Sequence, residues 1–212
     1  MDFIEWRKER LWYYQQPNNH FFSHTVEQMH IVKLDSNKLV VHSPVALTDS
    51  LKSSIDNLGE VSAVIYPTYT PTLHLSDWWL QFPDALFYAT TEVIQKRSDI
   101  TFDNSLSSNT PDCWKHQLLQ TPILGSSQPT HMVFCDPKSR TLLLDTLLVS
   151  RRSVSLPLFQ RRFYHNHFML RSSIQEVLTW PFDTLLSSNG LVIKSDAKQT
   201  FYEAFKWSFL DK

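Results

Sequence analysis

Two pairs of side chains have the spacing of metal chelators. His165 and His167 stand at i and i+2, which share a face on a strand, and His74 and Asp77 stand at i and i+3, which share a face on a helix. Such pairs are common by chance, because nine histidines are spread over 212 residues. We expect histidines without a metal here and predict no metal site, although either pair leaves an alternative site open.

Two further pairs contain the parts of a nucleophilic catalyst. His42 and Ser43 are neighbours, and Cys113 lies close to His116 in the sequence. A relay also needs a third group that orients the base, and the sequence contains no GxSxG turn. A cysteine with no cause for a lowered thiol pKa is usually buried and inert. We expect His42 to be a structural hydrogen-bonding residue, and the catalytic residues stay unknown at this point.

Composition limits the classes of partner. The chain is 42% apolar and 19% charged, which is typical of a globular domain with its own core. Its 20 basic and 21 acidic side chains give a net charge of −1, which does not favour binding to nucleic acid. Three glycines are too few for a P-loop or a dinucleotide-binding fingerprint. We therefore expect no nucleic-acid partner and no cofactor.

The cysteine count and the apolar runs bear on location. Two cysteines form no disulfide framework and suit a reducing compartment. The first residues, MDFIEWRKERLWYY, are charged where a secretory signal is apolar, and the run TLLLDTLLV is too short to span a bilayer. The sequence predicts a cytoplasmic protein without a membrane partner.

The first half of the chain predicts strands that alternate with helices. Two β-rich runs flank the turn at 35–37 and indicate a hairpin. Thr48 can cap a helix that has Leu51 and Ile55 on one face and ends near Gly59. EVSAVIYP is typical of a buried strand, a short aromatic helix is expected near 76–81, ALFYAT is another strand, and TTEVIQKR has helical character.

In the second half, 99–128 is expected to be mostly loop, with one short helix near Trp114. HMVFC and RTLLLDTLLV are predicted strands joined by a turn at 136–139. The capping box from Ser173 to Glu176 predicts the start of a helix, FDTLLSSNG a strand, and Ala197, Phe201 and Phe205 one face of a last helix. This order indicates an α/β (α+β) fold in which helices cover mixed sheets.

Four stretches together resemble an uncharacterised bacterial family, a domain of unknown function related to the metallo-β-lactamase fold. They are LDSNKLVVHSPVALTDSLKSSIDNLGEVSAVIYP, LSDWWLQFPDALFYAT, SRTLLLDTLL and FDTLLSSNG, the last followed by a terminal helix with Trp207. The resemblance covers residues 29–210. We therefore interpret 1–212 as one domain whose residues 1–28 form an N-terminal aromatic extension, with Trp6 to Tyr14 either docked on the domain or in a homodimer contact.

The resemblance implies an αββα sandwich of mixed β-sheets with helices outside and a metal site at one edge. Metal-binding relatives carry paired histidines after the strand that ends here at Pro67, where this sequence has Pro71 and Thr72. An aligned aspartate falls on Thr146, one residue from Asp145, and a His-Gly pair falls on Asn189 and Gly190. Proline, threonine and asparagine are poor ligands for a transition metal, so the ligand set is degenerate.

The resulting hypothesis is a non-metallated pseudo-enzyme that binds a small molecule or a protein partner in the inherited cleft. The expected cleft residues are Tyr69, Thr72, His74, Asp77, Asp145 and Asn189. One alternative is a hydrolase or biosynthetic enzyme with a metal-free site or with a rebuilt mononuclear site at His74, Asp77 and Asp145. Another is a structural subunit whose cleft is filled by Trp78 or Trp79, which cannot both point inward from one helix.

Overall fold

The computed structural model describes residues 3–20, 23–68, 74–150 and 154–210. Its larger sheet has seven strands in sequence order, antiparallel from the first to the fourth and parallel from the fourth to the seventh. They are β1 (Ile4–Arg7), β2 (Leu11–His20), β3 (Ser23–Lys33), β4 (Lys38–His42), β5 (Glu60–Tyr66), β6 (Leu86–Ala89) and β7 (Asn104–Ser105).

Three helices connect the parallel strands and cover the outer face of this sheet. They are α1 (Asp49–Leu58), α2 (Leu75–Gln81) and α3 (Thr91–Lys96). The predicted start of α1 is confirmed, because Thr48 Oγ1 accepts a hydrogen bond from the Leu51 N–H at 3.2 Å. Leu51 and Ile55 are the buried residues of this helix.

The smaller sheet has five strands in the order β14-β13-β10-β9-β8, and only β10 and β13 are parallel within it. The strands are β8 (Leu119–Ile123), β9 (His131–Asp136), β10 (Thr141–Leu144), β13 (Thr184–Ser187) and β14 (Val192–Ile193), and a separate hairpin joins β11 (Val149–Ser150) to β12 (Val154–Ser155). The remaining helices are α4 (Leu158–Arg161), α5 (His167–Thr179) and α6 (Ala197–Phe205), followed by a 3₁₀ turn at Lys206–Phe209.

Three apolar layers hold these elements together. Leu51, Ile55 and Trp78 pack between the larger sheet and its helices. Ile65 and Phe134 lie in the layer between the two sheets. A third layer, which includes Leu170, Ile174, Val177 and Phe201, joins the smaller sheet to α5 and α6. The predicted αββα sandwich of mixed sheets is confirmed.

The N-terminal segment differs from the predicted extension, because it supplies two strands of the larger sheet. Trp12 packs in the outer core, and Trp6 donates a hydrogen bond from Nε1 to Thr141 Oγ1 at 3.2 Å. Arg10 Nη2 lies 2.7 Å from Asp136 Oδ1, which joins the larger sheet to the smaller one through a buried ion pair. These contacts make the segment part of the sandwich and not an appendage.

Two other predictions were wrong in detail. The segment predicted as a long loop contains β8, which pairs with β9. Helix α5 begins at His167 and not at Ser173, because the Asn166 side chain accepts a hydrogen bond from the Met169 N–H at 3.1 Å. Ser173 lies within the helix, where its hydroxyl accepts a hydrogen bond from the Leu124 N–H at 3.1 Å. Among the residues described, no helix combines the length and the apolar character needed to cross a membrane.

Candidate functional site

The two sheets meet where β5 ends and β9 begins. The Met132 N–H donates to the Pro67 carbonyl at 2.9 Å, and Thr68 Oγ1 donates to the Thr130 carbonyl at 3.3 Å. The end of β10 lies beside β9, so the residues that follow these strands share one edge of the sandwich. This edge carries the candidate site.

Asp145 follows β10 directly and is buried. Ser188 donates its hydroxyl to Asp145 Oδ1, and Thr146 donates its hydroxyl to Oδ2 at 3.3 Å. Burial raises the pKa of Asp145, while the Ser188 hydrogen bond and the nearby His131 act in the opposite direction. Both carboxyl oxygens therefore already accept protein hydrogen bonds.

His131 opens β9 next to this carboxyl group. Its Nδ1 lies 3.2 Å from Thr68 Oγ1. Burial lowers the pKa of His131, and the negative charges of Asp145 and Glu92 partly offset that shift. Glu92, at the start of α3, accepts hydrogen bonds at 3.0 Å from both the N–H and the hydroxyl of Thr130, which fixes the turn before His131.

A cavity of about 330 Å³ opens over this edge. Ten residues line this cavity, namely Thr68, Ser126, Gln128, Pro129, His131, Thr146, Phe159, Gln160, Phe163 and Tyr164. The lining combines aromatic rings with hydroxyl and amide groups. Among its described residues, His131 is the one with a titratable imidazole.

A chain of polar side chains lies in the larger sheet close to Asp145. Gln15 Nε2 donates to Gln28 Oε1 at 2.7 Å, Gln28 Nε2 lies 3.0 Å from His30 Nε2, and His30 Nδ1 lies 3.0 Å from His42 Nδ1. The Gln28 N–H donates to the Ser188 carbonyl at 2.7 Å, which ties this chain to the residue that binds Asp145.

Both histidines of this chain are fully buried. Burial lowers the pKa of His30, and a charge on His42 would lower it further. Burial also lowers the pKa of His42 to about 3. Among the described residues, His42 Nε2 has no hydrogen-bond partner. His42 is a structural hydrogen-bonding residue, as the sequence indicated, but His30 and Gln28 were missed.

The structure separates several residues that the sequence placed in one cleft. Asp77 is exposed on α2 and lines a groove between α1 and α2 with Leu47 and Lys52, whereas Asp145 lies at the edge of β10. His74 precedes α2 and makes no capping hydrogen bond through its side chain. Tyr69 and Thr72, the other two expected cleft residues in this loop, lie outside the described residues.

Asn189 stabilises the loop around it. Its Nδ2 donates to the Leu148 carbonyl at 2.7 Å, and its Oδ1 accepts a hydrogen bond from the Leu191 N–H at 3.2 Å. The Nδ2 bond joins the segment after β13 to the segment after Asp145, and the Oδ1 bond fixes the turn from Asn189 to Leu191. Asn189 supports the walls of the site through these two bonds.

The remaining sequence candidates lie apart from this edge. His165 is exposed, and His167 is the first residue of α5, with its ring centroid 5.6 Å from that of Trp207. Cys113 Sγ lies 3.6 Å from the Tyr88 hydroxyl, and burial raises the pKa of its thiol, which opposes a nucleophilic role. Trp78 is buried with Nε1 donating to the Val45 carbonyl at 2.7 Å, whereas Trp79 is 39% exposed.

The donor set does not fit a metal centre of the kind implied by the resemblance. Within the described residues, no group of three or more His, Cys, Asp and Glu side chains is close enough to hold an ion. The sequence of the loop at 67–73 contains none of these four residue types. Asp145 would have to give up its bonds to Ser188 and Thr146 to bind a metal, and Asn189 is a poor ligand.

Counting residue pairs outward from the predicted hairpin turn could have identified His131. The turn at 136–139 pairs Asp136 with Thr141 and Phe134 with Leu143. Extending that register outward sets His131 opposite Thr146, beside Asp145. No comparable local signal pointed to Gln28 and His30, because the Gln28 contact with Ser188 joins β3 to the residue after the distant strand β13, and His30 is held by Gln28 and His42.

Comparisons with known proteins agree on the fold. No protein-family model and no curated protein matches the chain. Among solved structures, the metallo-β-lactamase FIM-1 from Pseudomonas aeruginosa in its mono-zinc form has a TM-score of 0.69 and 12% identity, covering 96% of this chain and 95% of that one. A metallo-β-lactamase from Pontibacter korlensis has a TM-score of 0.69 and 10% identity, covering 97% of this chain and 98% of that one.

A third similar structure is the metal-soaked Flv1 flavodiiron core from Synechocystis sp., with a TM-score of 0.65 and 14% identity. The match covers 94% of this chain and 58% of the flavodiiron core. Identities this low establish architecture and not activity. The order of strands, the two mixed sheets and these matches together show that the chain has the metallo-β-lactamase fold.

Proposed function

We propose that this chain is a non-metallated, catalytically silent binding protein that holds a small molecule in the inherited cleft. One observation carries the proposal: the cavity of about 330 Å³ lies directly beside a carboxyl group whose oxygens are bonded to Ser188 and Thr146. A volume of roughly 300 Å³ or more is enough for a small ligand. The Asp145 oxygens that could ligate a metal instead accept hydrogen bonds from Ser188 and Thr146.

The lining supports a ligand with a ring and hydrogen-bonding groups. Phe159, Phe163 and Tyr164 offer aromatic surface, and Thr68 and Thr146 offer hydroxyl groups. No Asp, Glu, Lys or Arg belongs to the described lining of this cavity. A small aromatic or heterocyclic compound that accepts hydrogen bonds suits these walls better than a strongly charged one.

The proposal places the protein in the cytoplasm of a bacterium, among relatives of the same uncharacterised family. The stretches that resemble this family support that setting. Cys113 and Cys135 are both free thiols, which agrees with a reducing compartment.

Blocking the cavity tests the proposal. Gln160 lines the cavity, and Gln199 lies on the exposed side of α6, so Gln160→Trp and Gln199→Trp make a matched pair. Saturation-transfer NMR with phenol, indole and benzamide as probes should give signals with the wild type and Gln199→Trp and weaker signals with Gln160→Trp. Equal signals from all three proteins would show that the probes do not bind in the cavity.

A metal-free enzyme is the second candidate, because of one contact. Thr68 Oγ1 lies 3.2 Å from His131 Nδ1, and the Asp145 charge acts on the same imidazole. A hydroxyl, an imidazole and a carboxyl group are the parts of a nucleophilic relay. With p-nitrophenyl acetate as the probe, turnover that disappears in both Thr68→Val and His131→Asn would favour this candidate over the binding protein.

The rebuilt mononuclear site is tested separately. His74→Ala and Asp145→Ala would each reduce bound zinc if those residues held an ion. We expect metal content to be the same in both variants and in the wild type, because Asp77 is exposed beside α1 whereas Asp145 is buried after β10.

A further inference from the structure

One part of the chain is strongly basic. Residues 146–175 contain five arginines and no aspartate or glutamate. Since the whole chain has a net charge of −1, the rest of it is net acidic. Arg161 ends α4 and Arg162 follows it, so two of these arginines lie beside the cavity wall formed by Phe159 and Phe163.

The same part of the chain exposes large apolar side chains. Leu158 and Phe159 on α4 are 77% and 61% exposed, and Phe168 and Met169 at the start of α5 are 77% and 40% exposed. Arg161 Cζ lies 5.4 Å from the centroid of the Trp207 ring and the His167 ring lies 5.6 Å from it, so the end of α4 and the start of α5 adjoin the same side chain. We call these four residues, together with Arg161 and Arg162, the α4–α5 face. Clustered apolar groups of this size on a surface mark an interaction site more often than isolated ones do.

Backbone hydrogen bonds hold the segment between the two helices in place. The Ser127 N–H donates to the Phe163 carbonyl at 2.9 Å, and the Asn166 N–H donates to the Gly125 carbonyl at 3.2 Å. Gly125 has φ +90, and a Cβ there would lie 2.3 Å from the Asn166 carbonyl oxygen, so this close approach requires glycine. These hydrogen bonds therefore fix the α4–α5 face to the segment that follows β8.

We propose that the α4–α5 face docks an acidic polypeptide that inserts an apolar side chain beside Phe159. Positive charge surrounding exposed Leu, Phe and Met side chains complements a segment in which acidic and apolar residues alternate. The cavity next to Phe159 makes the face concave, and a pocket for one anchoring side chain is typical of a protein interface. A flat membrane surface would leave that pocket empty.

A second copy of the chain fits this face less well. A two-fold dimer places the same patch of each copy against the other. Two basic faces would then come together, and the like charges of Arg161 and Arg162 on each copy oppose association. The inference goes beyond the small-molecule proposal, because Leu158, Phe168 and Met169 are not among the residues of the cavity lining.

The test uses a fluorescein-labelled peptide of about 20 residues that has Leu and Phe at i, i+3, i+4 and i+7 and Glu elsewhere. We expect a Kd on the order of 10 μM by fluorescence anisotropy, weaker at higher salt. Leu158→Ser, Phe168→Ser and Arg162→Glu should each weaken binding about tenfold. Leu80→Ser and Lys115→Glu, which change exposed side chains on α2 and near Trp114, are matched controls and should leave binding unchanged.

Three results would overturn the inference. The peptide could fail to bind, or a peptide in which Ser replaces Leu and Phe could bind equally well. The control variants could also weaken binding as much as the variants of the α4–α5 face do. Binding to phosphatidylserine vesicles without binding to the peptide would assign the face to a membrane surface instead. Because the cavity is tested separately with Gln160→Trp, failure here would leave the small-molecule result intact.

Discussion

His30 Nδ1 lies 3.0 Å from His42 Nδ1 in the interior of the larger sheet. One of these atoms must carry a proton and donate a hydrogen bond, and the other must accept that hydrogen bond. Gln28 Nε2 faces His30 Nε2 and donates to it, so the His30 proton belongs on Nδ1. His42 then accepts at Nδ1 and carries its own proton on Nε2, an atom without a partner among the described residues.

The first prediction concerns these tautomers. Long-range ¹⁵N–¹H correlation spectra at pH 6 should show His30 as the neutral Nδ1–H form and His42 as the neutral Nε2–H form, because burial lowers both pKa values. Signals from an imidazolium in either ring, or reversed tautomers, would contradict the hydrogen-bond order from Gln15 to His42.

The second prediction is a loss of stability in acid. The pKa of His42 is about 3 in the folded protein, and its ordinary value is 6.5. Between these two pH values the unfolded chain therefore binds a proton at His42 that the folded protein does not bind. The free energy of unfolding should be constant above about pH 6.5 and fall as the pH drops towards 3, by up to about 1.4 kcal/mol per pH unit for each such histidine.

His42→Asn is the control for this slope. Asn retains an acceptor where Nδ1 lies but does not titrate, so urea denaturation should show a shallower fall between pH 6.5 and 4. A loss of about 1–2 kcal/mol is expected at pH 7.5, where the missing ring atoms leave a cavity. An unchanged acid slope would show that other groups cause the loss.

The third prediction separates the charge of Asp145 from its hydrogen bonds. Asp145→Asn removes the charge of this buried side chain but keeps an oxygen that can accept one of the two hydrogen bonds, so the unfolding free energy should change by less than about 1 kcal/mol. Asp145→Ala leaves the Ser188 and Thr146 hydroxyls without their acceptor and should cost about 3 kcal/mol in chemical denaturation. Equal losses in both variants would mean that the negative charge itself stabilises the site.

The fourth prediction concerns the start of α5. Asn166→Ala removes the acceptor for the Met169 N–H and should lower the unfolding free energy by about 1 kcal/mol, whereas Asn166→Ser should retain most of it. Thermal unfolding followed by circular dichroism measures the difference. If the alanine and serine variants unfold together, the side chain of Asn166 does not determine where the helix begins.

Local signals predicted much of the fold. Thr48 and the spacing of Leu51 and Ile55 predicted α1, because a cap and an apolar face are encoded within one turn or two of chain. The predicted start of α5 at Ser173 was wrong, because the Ser173 side chain accepts a hydrogen bond from the Leu124 N–H within the helix, and the side chain of Asn166 caps the helix instead.

The site was harder to predict than the fold. Asp145 was found because the resemblance aligned its neighbour Thr146 with an aspartate, but Asp77 was placed with it although Asp77 is exposed on α2 and Asp145 is buried after β10. Spacing along α2 specifies which residues share a face and not which way that face points. The contacts of Ser188 with Asp145 and Gln28 join segments far apart in sequence, which no local pattern encodes.

The central claim is that the inherited cleft holds no metal. Elemental analysis of protein purified without chelator or a histidine tag, followed by zinc titration in a calorimeter, tests it most directly. We expect less than about a tenth of an equivalent of zinc, iron or manganese, and no zinc binding with a Kd below the order of 100 μM. About one equivalent, reduced by Asp145→Asn, would contradict the account and show that Asp145 exchanges its bonds to Ser188 and Thr146 for a metal ion.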